Sequence, residues 1–172
     1  SQLSLIGSGK CRFRQYSQYV PSNIDERFAQ FIDGSLEELG PEDFVGVTSI
    51  PPYGFAGLAN TRVVLPDWIT EFNNVEIFGN GSTMPKETVF PSTFKTIAHA
   101  LFVMIAIAPN SLGAAFNFEK ATKVVPMTGH ESLTLNGENK LPTIKVPASL
   151  YAQWITTAGW SQEGIKQKIV AV

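Results

Sequence analysis

A long apolar segment near the middle of the chain places the strongest constraint on the fold. Residues 97–108 read IAHALFVMIAIA, in which His99 is the one polar side chain. A membrane-spanning helix needs about 20 apolar residues, so this segment is too short to cross a bilayer and must be buried in a protein core. Pro91-Ser92 precedes the segment and Pro109 follows it. These signals predict a central helix over residues 93–108.

The rest of the composition agrees with one domain over residues 1–172 that has a well-filled core. The chain is 44% apolar, with 12 Phe and 3 Trp, which is enough apolar surface for a core of this size. Charged residues make up 16% of the chain, below the roughly 25% of an average domain. We therefore expect part of the surface to be covered by a second copy of the chain, so that the protein is a homo-oligomer and in the first instance a dimer.

The net charge limits the partners that we expect for this chain, and the cysteine content indicates its compartment. The formal net charge of −2 supplies no field that attracts nucleic acid or an anionic membrane, so we expect neither as a partner. Cys11 is the single cysteine and no intrachain disulfide can form, which favours a reducing compartment such as the cytoplasm.

The order of predicted elements indicates an α+β fold. A helix begins near Ser22, a further helical turn is expected at residues 36–39, and strands are expected at residues 44–50, 61–65, 75–78, 114–118 and 123–127. An Asn136-Gly137 turn predicts a hairpin between residues 133–135 and 143–146. Strands and helices do not alternate regularly and no internal repeat is visible. We therefore predict a mixed or mostly antiparallel sheet packed on the central helix.

The C-terminal segment predicts a corner of two helices. One helix opens at Pro147, Gly159 supplies a positive φ at the turn, and Ser161 is expected to cap the second helix. Trp160 and Ile165 have the spacing of a hydrophobic staple around that cap. Residues 152–169 (AQWITTAGWSQEGIKQKI) resemble the helix-turn-helix of DNA-binding repressors, which implies a second helix that reads the major groove. Because the chain is net acidic, we interpret the corner as a structural closure of the core.

The two histidines of the chain are the candidate catalytic residues. His130 and Glu131 are adjacent in a TGHES loop, where the carboxylate can orient the imidazole or share its proton. His99 lies in the apolar helix one turn after Lys95, so that both are expected on one face. The alternative interpretations are an exposed loop histidine at position 130 and a hydrogen-bonded core histidine at position 99.

The loop at residues 51–60 (PPYGFAGLAN) is the candidate substrate-binding segment. Tyr53 and Phe55 are expected to be exposed there or to gate a pocket, and Lys95 is expected to complete the site. Pockets for small molecules are apolar with a few polar groups, which this set of residues matches.

Three further motifs do not reach the pattern that their chemistry requires. Residues 7–10 (GSGK) lack the first glycine and the Ser or Thr of a phosphate-binding loop. His130-Glu131 lacks a second histidine one helical turn later, so we expect no metal and no cofactor. Cys11 lies between Lys10 and Arg12, but on a strand these cations point to the opposite face, which favours a structural thiol.

Three function hypotheses follow from the sequence. The first is a small-molecule site, with or without catalysis, in an oligomeric α+β domain. The second is a DNA-binding regulator that uses residues 152–169. The third is an accessory subunit without chemistry of its own.

Overall fold

The structure is a computed structural model. It describes the backbone of residues 3–8 and 11–16, and it describes residues 37–78, 84–107, 113–131 and 140–172 in full. The predicted helix near Ser22 and the predicted strand at residues 133–135 lie outside the described residues.

Ten strands and three α-helices lie in the described ranges. The strands are β1 (Leu3–Ser8), β2 (Cys11–Tyr16), β3 (Glu38–Leu39), β4 (Arg62–Val64), β5 (Glu87–Val89), β6 (Ile97–Ala98), β7 (Ala115–Asn117), β8 (Met127–Thr128), β9 (Thr143–Val146) and β10 (Ile169–Ala171). The helices are α1 (His99–Ile107), α2 (Tyr151–Trp154) and α3 (Glu163–Lys166). Two single 3₁₀ turns cover Pro41–Phe44 and Ala148–Leu150.

Six of the strands form one parallel sheet in the order β3-β4-β5-β7-β9-β10. Their first residues are 24, 25, 28, 28 and 26 positions apart along the chain. Each intervening segment therefore returns the chain to start the next strand beside the previous one. This is the arrangement of a solenoid, in which each turn packs on its neighbours. A second parallel pair, β6-β8, repeats the same stacking, and β1-β2 form a separate antiparallel hairpin.

The core is built by side chains that stack from turn to turn on the inner face of the sheet. We name the central set the inner ladder; its aligned members are Leu39, Val63, Thr88, Phe116, Ile144 and Ile169. All six side chains are buried. Two positions further along the strands, Phe90 and Phe118 stack with their ring centroids 4.2 Å apart. The sheet and the segments that complete each turn thus enclose one continuous apolar interior.

The predicted mixed or mostly antiparallel sheet is wrong, and a structural repeat is present where none was visible. Residues 143–146 do form a strand, but β9 runs parallel to both of its neighbours, β7 and β10. The predicted strand at residues 44–50 is absent: Phe44 ends a 3₁₀ turn and residues 45–50 are irregular. Residues 38–39 form β3 instead of a helical turn. The main strands have only two to four residues, so they are too short to show the alternation that distinguishes strand types.

The prediction of a long central helix over residues 93–108 is also wrong. Helix α1 has nine residues, begins at His99, and lies in the connection between β6 and β7. The two residues before it pair as β6 with β8, and the backbone N–H of Ile97 donates to the carbonyl of Pro126 (3.0 Å). This pairing with the following turn takes the first residues of the apolar segment out of the helix. None of the helices in the described ranges has the length and apolar character needed to span a bilayer.

The C-terminal corner keeps its predicted core contacts but not its predicted helices. Trp160 and Ile165 are fully buried, and Gly159 has φ +89° with no room for a Cβ beside Met127, so both predictions are confirmed. Helix α3 is a single turn that begins after Gln162, so the predicted Ser161 cap is wrong. The chain then enters β10, whose pairing with β9 ends the helical segment.

Thr88→Val is expected to stabilise the protein by about 1–2 kcal/mol. Thr88 is the one polar residue of the inner ladder, fully buried, and its hydroxyl oxygen has no hydrogen-bond partner. Valine has nearly the same shape and removes that unpaired group. Urea unfolding of both proteins measures the change, with the exposed Thr143→Val as the control. A loss of stability in the Thr88 variant would contradict the assignment of this hydroxyl as unpaired.

Candidate functional site

His99 is sealed in the protein interior. Its side chain is fully buried at the first position of α1. The Nε2 atom lies 3.0 Å from Oε1 of Gln162, and Nε2 of Gln162 donates to the backbone carbonyl of His130 (3.2 Å). Because the amide nitrogen faces the carbonyl, the amide oxygen accepts from the Nε2–H of His99. The other ring nitrogen, Nδ1, is then a buried acceptor without a partner.

His130 and Glu131 form a pair at the surface. Nδ1 of His130 lies 3.4 Å from Oε2 of Glu131, and their side chains are 31% and 74% exposed. The fold brings His130 close to His99 through the side chain of Gln162, but the imidazole of His99 does not reach solvent. The catalytic roles of these three residues remain predictions. The hydrogen bond between His99 Nε2 and Gln162 fits the core histidine that the sequence favours at this position.

The predicted substrate-binding residues occupy different environments. Phe55 is fully buried between the rings of Phe44 and Phe78, so its predicted exposure is wrong. Tyr53 is 6% exposed and has φ +62°. The backbone N–H groups of Tyr53 and Phe55 donate to carbonyls of the next turn, at positions 76 and 77. This pairing converts the predicted open loop into part of the solenoid wall.

Lys95 is exposed and lies before α1, so it does not share a helical face with His99. Its backbone N–H donates to the carbonyl of Thr70 in the preceding turn (2.8 Å). The substrate-binding roles of Tyr53, Phe55 and Lys95 remain predictions.

The outer face of the parallel sheet carries a connected set of polar side chains. Residues on either side of the inner ladder point away from the core, because side chains alternate along a strand. We name five of them the outer-face network: Glu38, Arg62, Glu87, Asn117 and Lys145. They come from β3, β4, β5, β7 and β9, one from each successive strand of the sheet.

Glu87 is the centre of the outer-face network. Arg62 Nε lies 2.7 Å from Glu87 Oε1, and Lys145 Nζ lies 2.8 Å from Glu87 Oε2. Asn117 Nδ2 donates to the same Oε2 atom over 3.4 Å. Arg62 also reaches Oε1 of Glu38 through Nη1 (3.2 Å). Both carboxylate oxygens of Glu87 therefore accept hydrogen bonds from other strands of the sheet.

Exposure increases from the centre of the network to its edge. The Glu87 side chain is 15% exposed, Lys145 34%, Arg62 39% and Glu38 55%. Val64 and Val89 follow Arg62 and Glu87 as the next outward-pointing residues of β4 and β5. Both are buried, but neither belongs to the core cluster. The accessible charged groups of the outer face are therefore those of Glu38, Arg62 and Lys145.

The charges of the network reinforce one another. Burial by itself raises the pKa of Glu87, but the hydrogen bonds from Lys145 and Arg62 outweigh it, so that the pKa lies below its ordinary value. The hydrogen bond to Glu87 in turn raises the pKa of Arg62. Glu87 and Arg62 therefore each favour the charged form of the other.

Glu87→Gln is expected to lower the free energy of unfolding by about 1–3 kcal/mol at pH 7, because two cations lose their charged acceptor. A depressed pKa adds stability above the ordinary value of 4.5, and that stability is lost as the pH falls through the folded-state pKa. The difference between wild type and variant should therefore shrink below that pH. Urea unfolding at pH 7 and about pH 3 measures it. The exposed Glu163→Gln is the control, and a pH-independent difference would contradict the ion-pair origin.

Sequence reasoning missed the network because its members are far apart in the chain. A signal was present in the short β-rich runs TRVVL, KETVF and TIKV, each of which carries one or two charged residues next to apolar ones. Aligning these runs would have placed Arg62, Glu87 and Lys145 on one face. That alignment requires knowledge that the runs stack in parallel.

Within the described ranges, no three His, Cys, Asp or Glu side chains lie close enough together to hold a metal ion. No protein-family model, curated protein or solved structure matches the chain.

Proposed function

We propose that this chain is a binding module that recognises a protein partner through the outer-face network. The observation that carries the proposal is one continuous parallel sheet of six strands whose outer face presents linked charges from successive turns. Solenoids offer extended binding surfaces of this kind. Adjacent strands lie about 4.8 Å apart, which sets a regular spacing for charged groups.

The chemistry of the network favours recognition over catalysis. Glu87 is held by Arg62, Lys145 and Asn117, so that the side chains around it have defined positions. Defined charges of both signs at a partly exposed edge give an interface specificity and register. A protein partner bound at the outer-face network is a specific form of the accessory-subunit hypothesis.

Two further properties belong to this proposal. The first is the homo-oligomer, a dimer in the first instance, which the exposed side chains of Trp68 (49%) and Ile107 (50%) favour. Sedimentation velocity at micromolar concentration tests it, and a monomer alone would reject it.

The second property is the binding of a small-molecule ligand, which is a second candidate function. A cavity beside the β6-β8 pair favours it.

Selection of binders from a displayed library of protein domains tests the proposed surface. Binders isolated on wild type are measured against Glu38→Lys and Lys145→Glu, which reverse charges at the exposed edge of the network. We expect at least about a tenfold loss of affinity for one or both variants. The double variant Lys166→Ala/Lys168→Ala is the matched control, and it should bind as wild type does.

Two outcomes would contradict the proposed surface. One is a set of binders with affinities that none of the outer-face variants changes. The other is tight binding to duplex DNA that weakens steeply between roughly 50 and 200 mM salt and is lost in the Lys166/Lys168 variant. That result would favour the DNA-binding regulator, although α3 has only four residues to place in a groove.

A further inference from the structure

A cavity of about 130 Å³ lies beside the β6-β8 pair. One wall comes from the segment after β4, with Glu71, Phe72 and Asn74. The opposite wall comes from Thr96 and β6, from Thr128 of β8, and from α1. The cavity is separate from the outer-face network, and none of the catalytic or substrate-binding residues predicted from the sequence lines it.

The floor of the cavity is apolar and well ordered by the core. Ile97 and Leu101 are each 2% exposed and belong to the core cluster. Phe72 is half-buried, and its ring packs against Phe94 with the centroids 5.1 Å apart. A ligand that enters the cavity therefore meets an apolar floor and an aromatic side wall.

Two polar side chains of the cavity donate hydrogen bonds to backbone carbonyls outside it. Asn74 Nδ2 donates to the carbonyl of Ile50 (2.9 Å), and the hydroxyl of Thr96 donates to the carbonyl of Pro126 (3.2 Å). The Thr96 oxygen retains acceptor capacity. Glu71 is the one ionisable residue among those that line the cavity, and it is exposed at the rim. The cavity therefore offers the Thr96 oxygen as an acceptor and the negative charge of Glu71 at its rim.

We propose that the cavity binds a small protonated amine with a short apolar tail. The ammonium group would pair with the Glu71 carboxylate and lie near the Phe72 ring, since aromatic faces attract cations. The tail would contact Ile97 and Leu101. An apolar cavity of roughly 150 Å³ holds a molecule the size of benzene, so the ligand has about five to eight non-hydrogen atoms. This inference rests on the second candidate function, the small-molecule ligand, and not on the protein-binding surface.

Titration with n-butylammonium chloride, followed by isothermal calorimetry and by NMR of the labelled protein, tests the proposal. n-Butanol and sodium butyrate serve as neutral and anionic probes of the same length. We expect saturable binding of the amine with a Kd of roughly millimolar or below, and weaker binding of both other probes. Glu71→Gln should weaken amine binding by at least about tenfold. The exposed Glu37→Gln is the matched control and should leave the affinity unchanged.

Ala98→Leu is a second variant, which fills the cavity without changing its charge. It should abolish the NMR chemical-shift changes that the amine causes at residues 71–75. The proposal is overturned if n-butanol binds as tightly as the amine, if Glu71→Gln and Glu37→Gln have equal effects, or if no saturable binding occurs. None of these outcomes involves the outer face of the sheet, so failure here leaves the protein-binding proposal in place.

Discussion

Trp160→Ala is expected to lower the free energy of unfolding by about 3–5 kcal/mol. The indole is fully buried, and its ring centroid lies 5.5 Å from that of Phe102 and 5.6 Å from that of Trp154. Its Nε1–H donates to the carbonyl of Val125 in the preceding turn (2.7 Å). The substitution removes the aromatic contacts and the hydrogen bond together. Urea unfolding monitored by far-ultraviolet circular dichroism measures the loss.

Two variants separate the contributions of Trp160. Trp160→Phe keeps an aromatic ring but removes the donor to Val125, so it should cost about 1–3 kcal/mol. Trp68→Ala removes an indole that is 49% exposed and should cost less than Trp160→Ala. Equal losses for the alanine variants at positions 68 and 160 would show that the C-terminal corner is not part of the core.

Ile105→Ala is expected to lower the free energy of unfolding by about 2–5 kcal/mol. Ile105 is 2% exposed on α1 and belongs to the core cluster. The short helix has no long amphipathic face of its own, so its stability comes from tertiary packing. Denaturant unfolding of wild type and variant measures the difference, provided that the slope of the transition is unchanged.

Ile107→Ala is the matched control for this prediction. It removes the same atoms from the same helix at a side chain that is 50% exposed, and it should change the stability by less than about 1 kcal/mol. A cost below half a kcal/mol for Ile105→Ala would mean that α1 does not pack as described.

Sequence reasoning succeeded where a side chain's environment follows from its own chemistry. The apolar segment is buried at Leu101 and Ile105, and Trp160 and Ile165 are buried after the Gly159 turn. Three strands also fall where β-rich runs predicted them, β4, β7 and β9. Such positions depend on hydrophobicity and on local backbone preference, both of which a single sequence displays.

The prediction failed where the environment depends on the neighbouring turn. The rings of Tyr53 and Phe55 are drawn inward because their backbone pairs with residues 76 and 77 of the next turn. Lys95 leaves the predicted helix because its backbone pairs with Thr70. These bonds join residues more than 20 positions apart, and no local pattern contains them.

The sequence by itself determined that the central apolar segment and the C-terminal corner are buried and where several strands and turns lie, because burial follows from the free energy of removing apolar side chains from water. The tertiary structure alone decided that the strands run parallel, that the turns repeat, and that Arg62, Glu87 and Lys145 meet. A strand of two to four residues has too few side chains to encode the direction of its neighbour. Direction and register are set only when successive turns stack and place the inner ladder in one core.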